Sequence, residues 1–330
     1  MSKSSSAKLF IVFFLLLFLG GCVTTSKTHE DKMFAYFDDR IISSDATFIK
    51  SLHDSFPFGD IVAMHFYDSK IFLLDESKNC IHVMDSDGRL LHRFGVVGNG
   101  SGEMMNPSAF FLENDEIYVA ETGNRRIQIF DLDGISKGII SLRSIPEFAQ
   151  YLSIGKVKEG YLLSVSTRES YPTAYFIKDD GTSIELSKQT IGLIAAIKDE
   201  AFYIESGEHK KIDEGFNFST GENSVFRWNE NDKSLVKQAV SYPYGFSIRP
   251  NAYSIGKNWY ALSFSFASID KFDENWNYLE TVINLQEETE LTSTELFRSV
   301  FAMSDDGSIF MYVPDVDQLY AFTPTHTQRQ

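Results

Sequence analysis

The chain repeats one pattern of short runs at an interval of 46 residues. The first copy reads IFLLD at 71–75, IHVMD at 81–85 and Asp-Gly at 87–88, and the second reads IYVAE at 117–121, IQIFD at 127–131 and Asp-Gly at 133–134. A period in the forties, with two β-rich runs and a turn pair in each copy, is typical of a propeller blade. The pattern therefore predicts a ring of small antiparallel sheets rather than a layered enzyme domain.

Weaker copies of this unit continue toward the C-terminus. The turn residues of the two clear copies, Gly88 and Gly134, are followed by Gly181, Asn231 and Asn277 in the weaker ones. Successive turn residues are 46, 47, 50 and 46 residues apart. The 271 residues from Asp60 onward hold nearly six such units. We predict an all-β, six-bladed β-propeller with four antiparallel strands in each blade, in which the first strand of every blade lines the central channel.

A closed ring needs one strand that is shared between its two ends, because an open ring leaves two unpaired sheet edges. Residues 33–42 or 47–52 are the candidates for a strand beside the last blade. We therefore predict that 33–330 forms a single propeller domain, closed by an N-terminal strand.

The second copy carries a more specific pattern. Its glycines and turn residues are Gly95, Gly98, Gly100, Gly102, Asn106 and Pro107, and they precede IYVAETGNRRIQIF at 117–130. This stretch resembles the NHL repeat, the blade unit of a family of six-bladed propellers, and the resemblance weakens in the other blades. Two positions depart from the pattern, since Glu121 replaces the usual aspartate and Cys80 stands in the preceding blade where Arg126 stands here. Arg126 is placed to pair with Glu121 across the turn between their strands.

The first 21 residues have the pattern of a signal peptide. Lys3 and Lys8 accompany an unbroken apolar stretch at 9–19, which is too short to span about 30 Å of hydrocarbon as a helix. The sequence that follows, Leu19-Gly20-Gly21-Cys22, resembles the lipobox of bacterial lipoproteins. This resemblance implies that Cys22 becomes the mature N-terminus and carries diacylglycerol and an amide-linked acyl chain such as palmitate. The alternative is an ordinary secretory signal with a chance cysteine.

The segment after Cys22 indicates the subcellular localisation of the protein. Residues 22–32 are mostly polar without apolar periodicity, so we expect a flexible tether between the lipid and the folded body. Val23 is not the aspartate that retains many lipoproteins in the inner membrane, so the resemblance implies the outer membrane, with either leaflet open. Membrane attachment through the lipid is thus one predicted partnership.

The net charge argues against a nucleic-acid-binding protein, and the cysteine content argues against a disulfide-stabilised one. The formal net charge is −16, and an acidic body repels the phosphates of nucleic acid, so we expect no nucleic-acid partner. Cys80 is the only cysteine besides Cys22, so an intramolecular disulfide is not predicted once Cys22 is lipidated.

The predicted channel strands contain few side chains that could bind a metal or catalyse a reaction. They carry almost no carboxylates, whereas the calcium-dependent hydrolases among six-bladed propellers gather oxygen ligands there. His65 is the candidate channel residue, and His82 lies in the same blade. Zinc sites need three or four converging ligands, so from these two histidines we predict no metal site, no cofactor and no catalytic residue.

One connection is too long for its blade. Between 204 and 225 it contains Glu208, His209, Phe216 and Phe218, which we take as a candidate binding loop. Long loops on a rigid scaffold often carry recognition, and the alternative is a disordered surface insertion. We therefore expect a non-enzymatic binding or scaffold protein of the cell envelope, with another protein, a peptide or a glycan as its partner. The alternative function is a metal-dependent hydrolase or lyase with its site at the channel mouth.

Overall fold

The computed structural model describes residues 50–51, 58–167, 173–187, 192–197, 200–205, 211–212, 215–216, 223–242, 252–263, 268–285, 291, 293–296 and 298–322. The chain divides into two compact units, Met1–Ile41 and Ile42–Gln330, and every described residue lies in the second unit. None of the helices within these ranges has the length and apolar content needed to cross a bilayer.

The described strands form six four-stranded antiparallel sheets and one small hairpin. A short strand, β1 (Lys50–Ser51), precedes the blades. Blade 1 comprises β2 (Ile61–Tyr67), β3 (Lys70–Asp75), β4 (Cys80–Asp85) and β5 (Leu90–Phe94). Blade 2 comprises β6 (Pro107–Glu113), β7 (Glu116–Glu121), β8 (Arg126–Asp131) and β9 (Ser136–Ser141). Blade 3 comprises β10 (Gln150–Val157), β11 (Gly160–Ser166), β12 (Thr173–Lys178) and β13 (Ser183–Ser187).

The second half of the unit follows the same plan with one insertion. Blade 4 comprises β14 (Gly192–Ile197), β15 (Glu200–Glu205), β18 (Asn223–Asn229) and β19 (Ser234–Tyr242), and the hairpin of β16 (Lys211–Ile212) and β17 (Gly215–Phe216) lies within it. Blade 5 comprises β20 (Ala252–Ile255), β21 (Asn258–Ser263), β22 (Ser268–Phe272) and β23 (Tyr278–Asn284). The short helix α1 (Ser293–Leu296) precedes blade 6, which comprises β24 (Val300–Met303), β25 (Ile309–Val313) and β26 (Gln318–Phe322).

These sheets are arranged around a common centre by their first strands. In the unit that contains them, β24 lies next to β2, β2 next to β6, β6 next to β10, β10 next to β14 and β14 next to β20. The sixth sheet is completed by β1, which pairs with β26 through Lys50 opposite Leu319 and Ser51 opposite Gln318. The predicted six-bladed ring is therefore confirmed, and the closing strand comes from the second of the two candidate segments.

Strand alternation explains how each blade packs on both of its neighbours. In β3, Ile71 and Leu73 join the apolar cluster shared with blade 6, whereas Phe72 and Leu74 join the cluster shared with blade 2. Successive side chains of a strand point to opposite faces, so one run of apolar residues supplies two interfaces. Full burial of each large apolar side chain contributes about 1.5–3 kcal/mol, and these inter-blade layers are the core of the unit.

The Asp-Gly pairs make the predicted reversals between the outer strands. In blade 1 the Gly88 N–H donates to the Asp85 carbonyl oxygen at 3.0 Å, and in blade 2 the Gly134 N–H donates to that of Asp131 at 3.0 Å. Both glycines have positive φ, +78° and +84°. This left-handed conformation is the reason that glycine recurs at these positions.

Blade 5 makes the same turn with a different residue. Trp276 occupies the position of the glycine, with φ +65° and its N–H donated to the Asp273 carbonyl oxygen at 3.0 Å. The turn marker read from the sequence, Asn277, is one residue too late. The indole of Trp276 is 1% exposed, stacks on Trp259 at 5.3 Å and meets Phe202 of blade 4 at 6.1 Å. Aromatic packing between the blades offsets the cost of this backbone conformation.

Candidate functional site

Three polar side chains of blade 1 converge in the apolar surroundings of the inter-blade layers. Asp75 is the last residue of β3, and Cys80 and His82 are the first and third residues of β4. Asp75 is paired with Cys80 across the hairpin, and residues two apart on a strand share a face, so His82 lies beside the pair. Their exposed fractions are 0%, 2% and 0%, respectively.

The distances among these groups are short. The Nε2 atom of His82 lies 3.1 Å from Oδ2 of Asp75 and 3.5 Å from Sγ of Cys80. All three potential ligand atoms lie within 4.8 Å of one another. The Phe58 ring and the imidazole of His82 form a T-shaped pair, with ring centroids 5.0 Å apart. We refer to Asp75, Cys80 and His82 as the blade 1 cluster.

The carboxylate of Asp75 is fixed by further hydrogen bonds. Oδ2 accepts the N–H of Gly59 at 2.7 Å, and Oδ1 accepts the hydroxyl of Ser77 at 3.1 Å and the N–H of Lys78 at 3.0 Å. Burial alone disfavours the charged form of this carboxyl, but hydrogen bonds from His82 and from the two backbone amides outweigh it. The pKa of Asp75 consequently lies below its usual value, and the group is ionised at neutral pH.

The thiol of Cys80 is in the opposite state. Burial, together with the nearby negative charge of Asp75, raises its pKa to about 11, against the weaker opposing effects of Arg93 and Lys78. The thiolate is the reactive form of cysteine, so at neutral pH this buried, protonated thiol is not a nucleophile. The cluster therefore has the composition of a ligand set rather than that of a hydrolytic centre.

Blade 2 places different residues at the same three register positions. Glu121 ends β7, and Arg126 opposite it begins β8. The Arg126 Nε donates to Oε1 of Glu121 at 2.7 Å, its Nη1 donates to the Asn99 carbonyl oxygen at 2.8 Å, and its Nη2 donates to the carbonyl oxygens of Gly100 and Glu103 at 3.0 and 2.7 Å. The predicted pairing of Arg126 with Glu121 is confirmed.

The third member of this set completes the same network. Gln128 Nε2 donates to the Glu103 carbonyl oxygen at 2.8 Å and to Oε1 of Glu121 at 3.2 Å, and its Oε1 accepts the N–H of Gly102 at 3.0 Å. Oε2 of Glu121 accepts the N–H of Met105 at 3.1 Å, as Asp75 accepts that of Gly59. The network therefore holds the glycine-rich connection from blade 1 to blade 2 against the second blade.

His65 lies on the first strand of blade 1, where the sequence analysis placed it. Its Nε2–H donates to the carbonyl oxygen of Phe110 at 3.0 Å, and its ring meets that of Phe110 edge-on with centroids 4.7 Å apart. Burial lowers the pKa of His65 to about 4, against the opposing effect of the hydrogen bond. The sequence analysis considered His65 together with His82, but their contacts differ: His65 contacts blade 2, and His82 contacts Asp75 and Cys80.

The other predicted site residues fall largely outside the described part of the chain. Cys22, Glu208, His209 and Phe218 lie outside it, and Phe216 is described only as a backbone member of β17. The backbone of the long connection is described at β16 and β17, where Lys211 pairs with Phe216 in an antiparallel hairpin.

The sequence analysis missed the blade 1 cluster, although a signal for it was present. Cys80 and His82 are two residues apart in a strand, so they share a face, and the hairpin repeat aligns Asp75 with Cys80 just as it aligns Glu121 with Arg126. The sequence analysis weighed His82 only together with His65 and did not consider Cys80, whose sulfur lies 3.5 Å from His82 Nε2. Applying the repeat register to each polar position, rather than counting histidines, would have found the cluster.

Comparisons with known proteins agree with this architecture. A family model described as a 6-bladed beta-propeller matches residues 41–180. Together with the six blades, this match identifies the chain as a six-bladed β-propeller. A comparison with curated proteins found no match.

Solved structures resemble the chain in fold. One is a calcium-binding protein, regucalcin, from Agrobacterium tumefaciens strain C58, with 8% identity and a TM-score of 0.54 over 86% of this chain and 95% of that one. Another is a luciferin-regenerating enzyme, with 11% identity and a TM-score of 0.52 over 87% of this chain and 96% of that one. At this identity the likeness extends to the fold alone, because one fold hosts many functions.

Proposed function

We propose that this chain is a lipid-anchored protein of the cell envelope that binds another envelope protein and catalyses no reaction. The observation that carries this proposal is the connection between β15 and β18. It spans residues 206–222 and contains the additional hairpin of β16 and β17, whereas the corresponding connections in blades 1 and 2 are 76–79 and 122–125.

The position of this connection suits recognition. Because every blade has the same antiparallel strand order, the connections between second and third strands share one end of the ring. A rigid ring fixes the base of such a loop while the tip is free to diverge, and binding residues are accordingly concentrated on loops. A connection elaborated with its own hairpin is a candidate for a surface that contacts a partner.

The composition of the first strands favours binding over metal-dependent hydrolysis. Among their described residues, β2, β6, β10, β14, β20 and β24 contain one carboxylate, Glu113. A calcium ion takes six to eight oxygen ligands, commonly several of them carboxylates. The buried thiol of Cys80 is protonated at neutral pH and offers no alternative nucleophile.

The proposed localisation at the outer membrane depends on the sequence around Cys22. The small residues before this cysteine, at the end of an apolar stretch, support lipidation, and Val23 supports the outer membrane. Lipidated protein should incorporate labelled palmitate and fractionate with outer membranes, whereas Cys22→Ser protein should do neither. Equal incorporation by the variant would refute the anchor.

Removal of the long connection tests the binding function. In the native host, cross-linked pull-down of tagged full-length protein should recover an envelope partner, and deletion of 208–220 should abolish recovery with little change in the thermal midpoint. Lys257→Ala is a matched control, because Lys257 is 86% exposed in a turn between the first and second strands of blade 5, at the other end of the ring. This variant should retain capture.

Two outcomes would contradict the binding function. Capture that survives the deletion would remove the connection from the interface. Turnover of lactone or ester substrates by the purified protein, lost on treatment with a chelator, would favour the alternative of a metal-dependent hydrolase or lyase.

A further inference from the structure

We infer that Asp75, Cys80 and His82 bind one zinc ion, which fastens the hairpin of β3 and β4 beneath the surface of blade 1. This inference is independent of the proposed binding function, since the cluster is buried and the long connection belongs to blade 4.

The separations of the ligand atoms fit a tetrahedral zinc centre. With bonds of about 2.0 Å to nitrogen and oxygen and about 2.3 Å to sulfur, tetrahedral ligands lie about 3.3 Å apart for N and O and about 3.6 Å apart for N and S. The observed separations from His82 Nε2 are 3.1 Å to Asp75 Oδ2 and 3.5 Å to Cys80 Sγ. Both separations lie within about 0.2 Å of the tetrahedral values, and all three ligand atoms lie within 4.8 Å of one another.

The mixture of donor atoms selects among metals. Calcium and magnesium favour oxygen ligands, whereas a set of one thiolate, one imidazole and one carboxylate suits zinc, which accepts all three. No further histidine, cysteine, aspartate or glutamate joins the cluster within the described residues. A water molecule or an added ligand would therefore take the fourth position.

The environment of the carboxylate supplies the outer support that metal sites require. Hydrogen bonds from Gly59, Ser77 and Lys78 fix Asp75 with Oδ2 directed at His82. Such contacts orient a ligand before the metal arrives, and their loss commonly weakens metal affinity.

Comparison with blade 2 indicates why a cation belongs here. There the buried carboxylate of Glu121 meets the guanidinium of Arg126, so the protein supplies its own positive charge. In blade 1 the position of Arg126 is taken by Cys80, and among the described residues the basic group within ion-pair distance of Asp75 is His82. A divalent cation bound by Asp75, Cys80 and His82 would replace the charge that Arg126 provides in blade 2.

Binding involves one proton at the sulfur. At neutral pH the metal-free thiol of Cys80 is protonated and Asp75 is ionised. Formation of the zinc–sulfur bond breaks the S–H bond and releases that proton to solvent. His82 loses the Nε2 proton that it donates to Asp75 in the metal-free protein and takes up a proton at Nδ1, so that its Nε2 lone pair can bind the ion. No electron transfer is involved, and no co-reactant is needed.

The test uses the full chain with Cys22→Ser, in which Cys80 is the only remaining cysteine. After treatment with a chelator, the protein is dialysed against Zn²⁺ or Co²⁺ alone. We expect one zinc per chain by elemental analysis, a higher thermal midpoint with zinc, and a thiolate-to-cobalt absorption band. Cys80→Ala and His82→Gln should each weaken zinc binding at least about tenfold, and Cys80→Ala should abolish the cobalt band.

Controls separate binding at the cluster from adventitious binding. His92→Gln alters a histidine on the neighbouring strand of the same blade and should keep full affinity and the cobalt band. If Cys80→Ala fails to fold, Cys80→Ser supplies the near-isosteric variant. Substoichiometric zinc, a missing thiolate band, or equal affinity in the His82→Gln variant would overturn the inference.

Discussion

Blades 1 and 2 have the same backbone plan but differ at three buried polar positions. Both use an aspartate-anchored turn, with Asp85 and Asp131 accepting backbone N–H groups, and the pKa of each carboxyl is lowered chiefly by these bonds and by pairing with a basic side chain. Inside the blades, Glu121, Arg126 and Gln128 correspond to Asp75, Cys80 and His82. The fold thus tolerates two different chemical sets at one location.

The difference teaches what each set does. In blade 2 the charges of Glu121 and Arg126 cancel, and the guanidinium and the amide bind the carbonyl groups of the preceding connection, so the network is complete within the protein. In blade 1 an ionised Asp75 faces an imidazole and a neutral thiol. The first arrangement is a structural clamp, and the second is a set of groups suited to an additional ligand.

The largest expected effect comes from breaking the blade 2 clamp. Arg126→Met leaves the carboxylate of Glu121 buried without its cation, and removing one partner of a buried ion pair costs about 3–5 kcal/mol of unfolding free energy. Urea denaturation at neutral pH should show this as a lower midpoint with an unchanged slope.

Arg89→Met is the control for this substitution, because Arg89 also pairs with a carboxylate, Asp85, but its side chain is 73% exposed. Exposed pairs contribute at most about 1 kcal/mol, so the control should be nearly neutral. Equal losses from both variants would show that the buried pair is not the stronger element of blade 2.

A smaller effect is expected from the corresponding change in blade 1. Without metal, Asp75→Asn removes a carboxylate that accepts the N–H groups of Gly59 and Lys78 and leaves buried donors poorly matched, at a cost of about 2–3 kcal/mol. The unfolding free energy of the chelator-treated protein measures this cost. A loss exceeding that of Arg126→Met would reverse the comparison between the two blades.

The smallest expected effect is the loss of folding stability in acid that His65 causes. Its counterpart in blade 2 is Phe111, which does not titrate. Because the folded pKa is about 4 and the ordinary value is 6.5, the unfolded chain takes up a proton first as pH falls. Stability is therefore lost below pH about 6.5, by about 1–2 kcal/mol between pH 7 and pH 5.

His65→Gln removes this titration while its amide can still donate to the Phe110 carbonyl oxygen. Urea midpoints of the variant should fall less between pH 7 and pH 5 than those of the wild type. If the urea midpoints of the two proteins fall equally between pH 7 and pH 5, protonation of His65 does not contribute to the loss of stability in acid.

The sequence predicted the blades because their determinants are local. Alternating apolar residues and the Asp-Gly turns of blades 1 and 2 encode strands and reversals within one copy of the repeat, and the closing segment followed from the need to pair the sheet edge. The closing strand at Lys50 and Ser51 confirmed that argument.

The cluster and the fifth turn were missed for a different reason. The approach of Asp75 to Cys80 depends on hairpin register, and a search for metal ligands by residue type does not weigh register. Trp276 adopts a conformation typical of glycine because Trp259 and Phe202, which are distant in sequence, surround its indole. Contacts between blades override the local preference there, and only the packed structure reveals them.

The closing strand β1 has a mechanical consequence. Within the described part of the chain, β1 pairs with β26 at two positions, whereas β26 is aligned with β25 over five. Any tension drawn along the N-terminal segment enters the ring at this seam, which should part at lower force than the joints inside the blades. The ring would then open between β1 and β26 while the individual sheets stay intact.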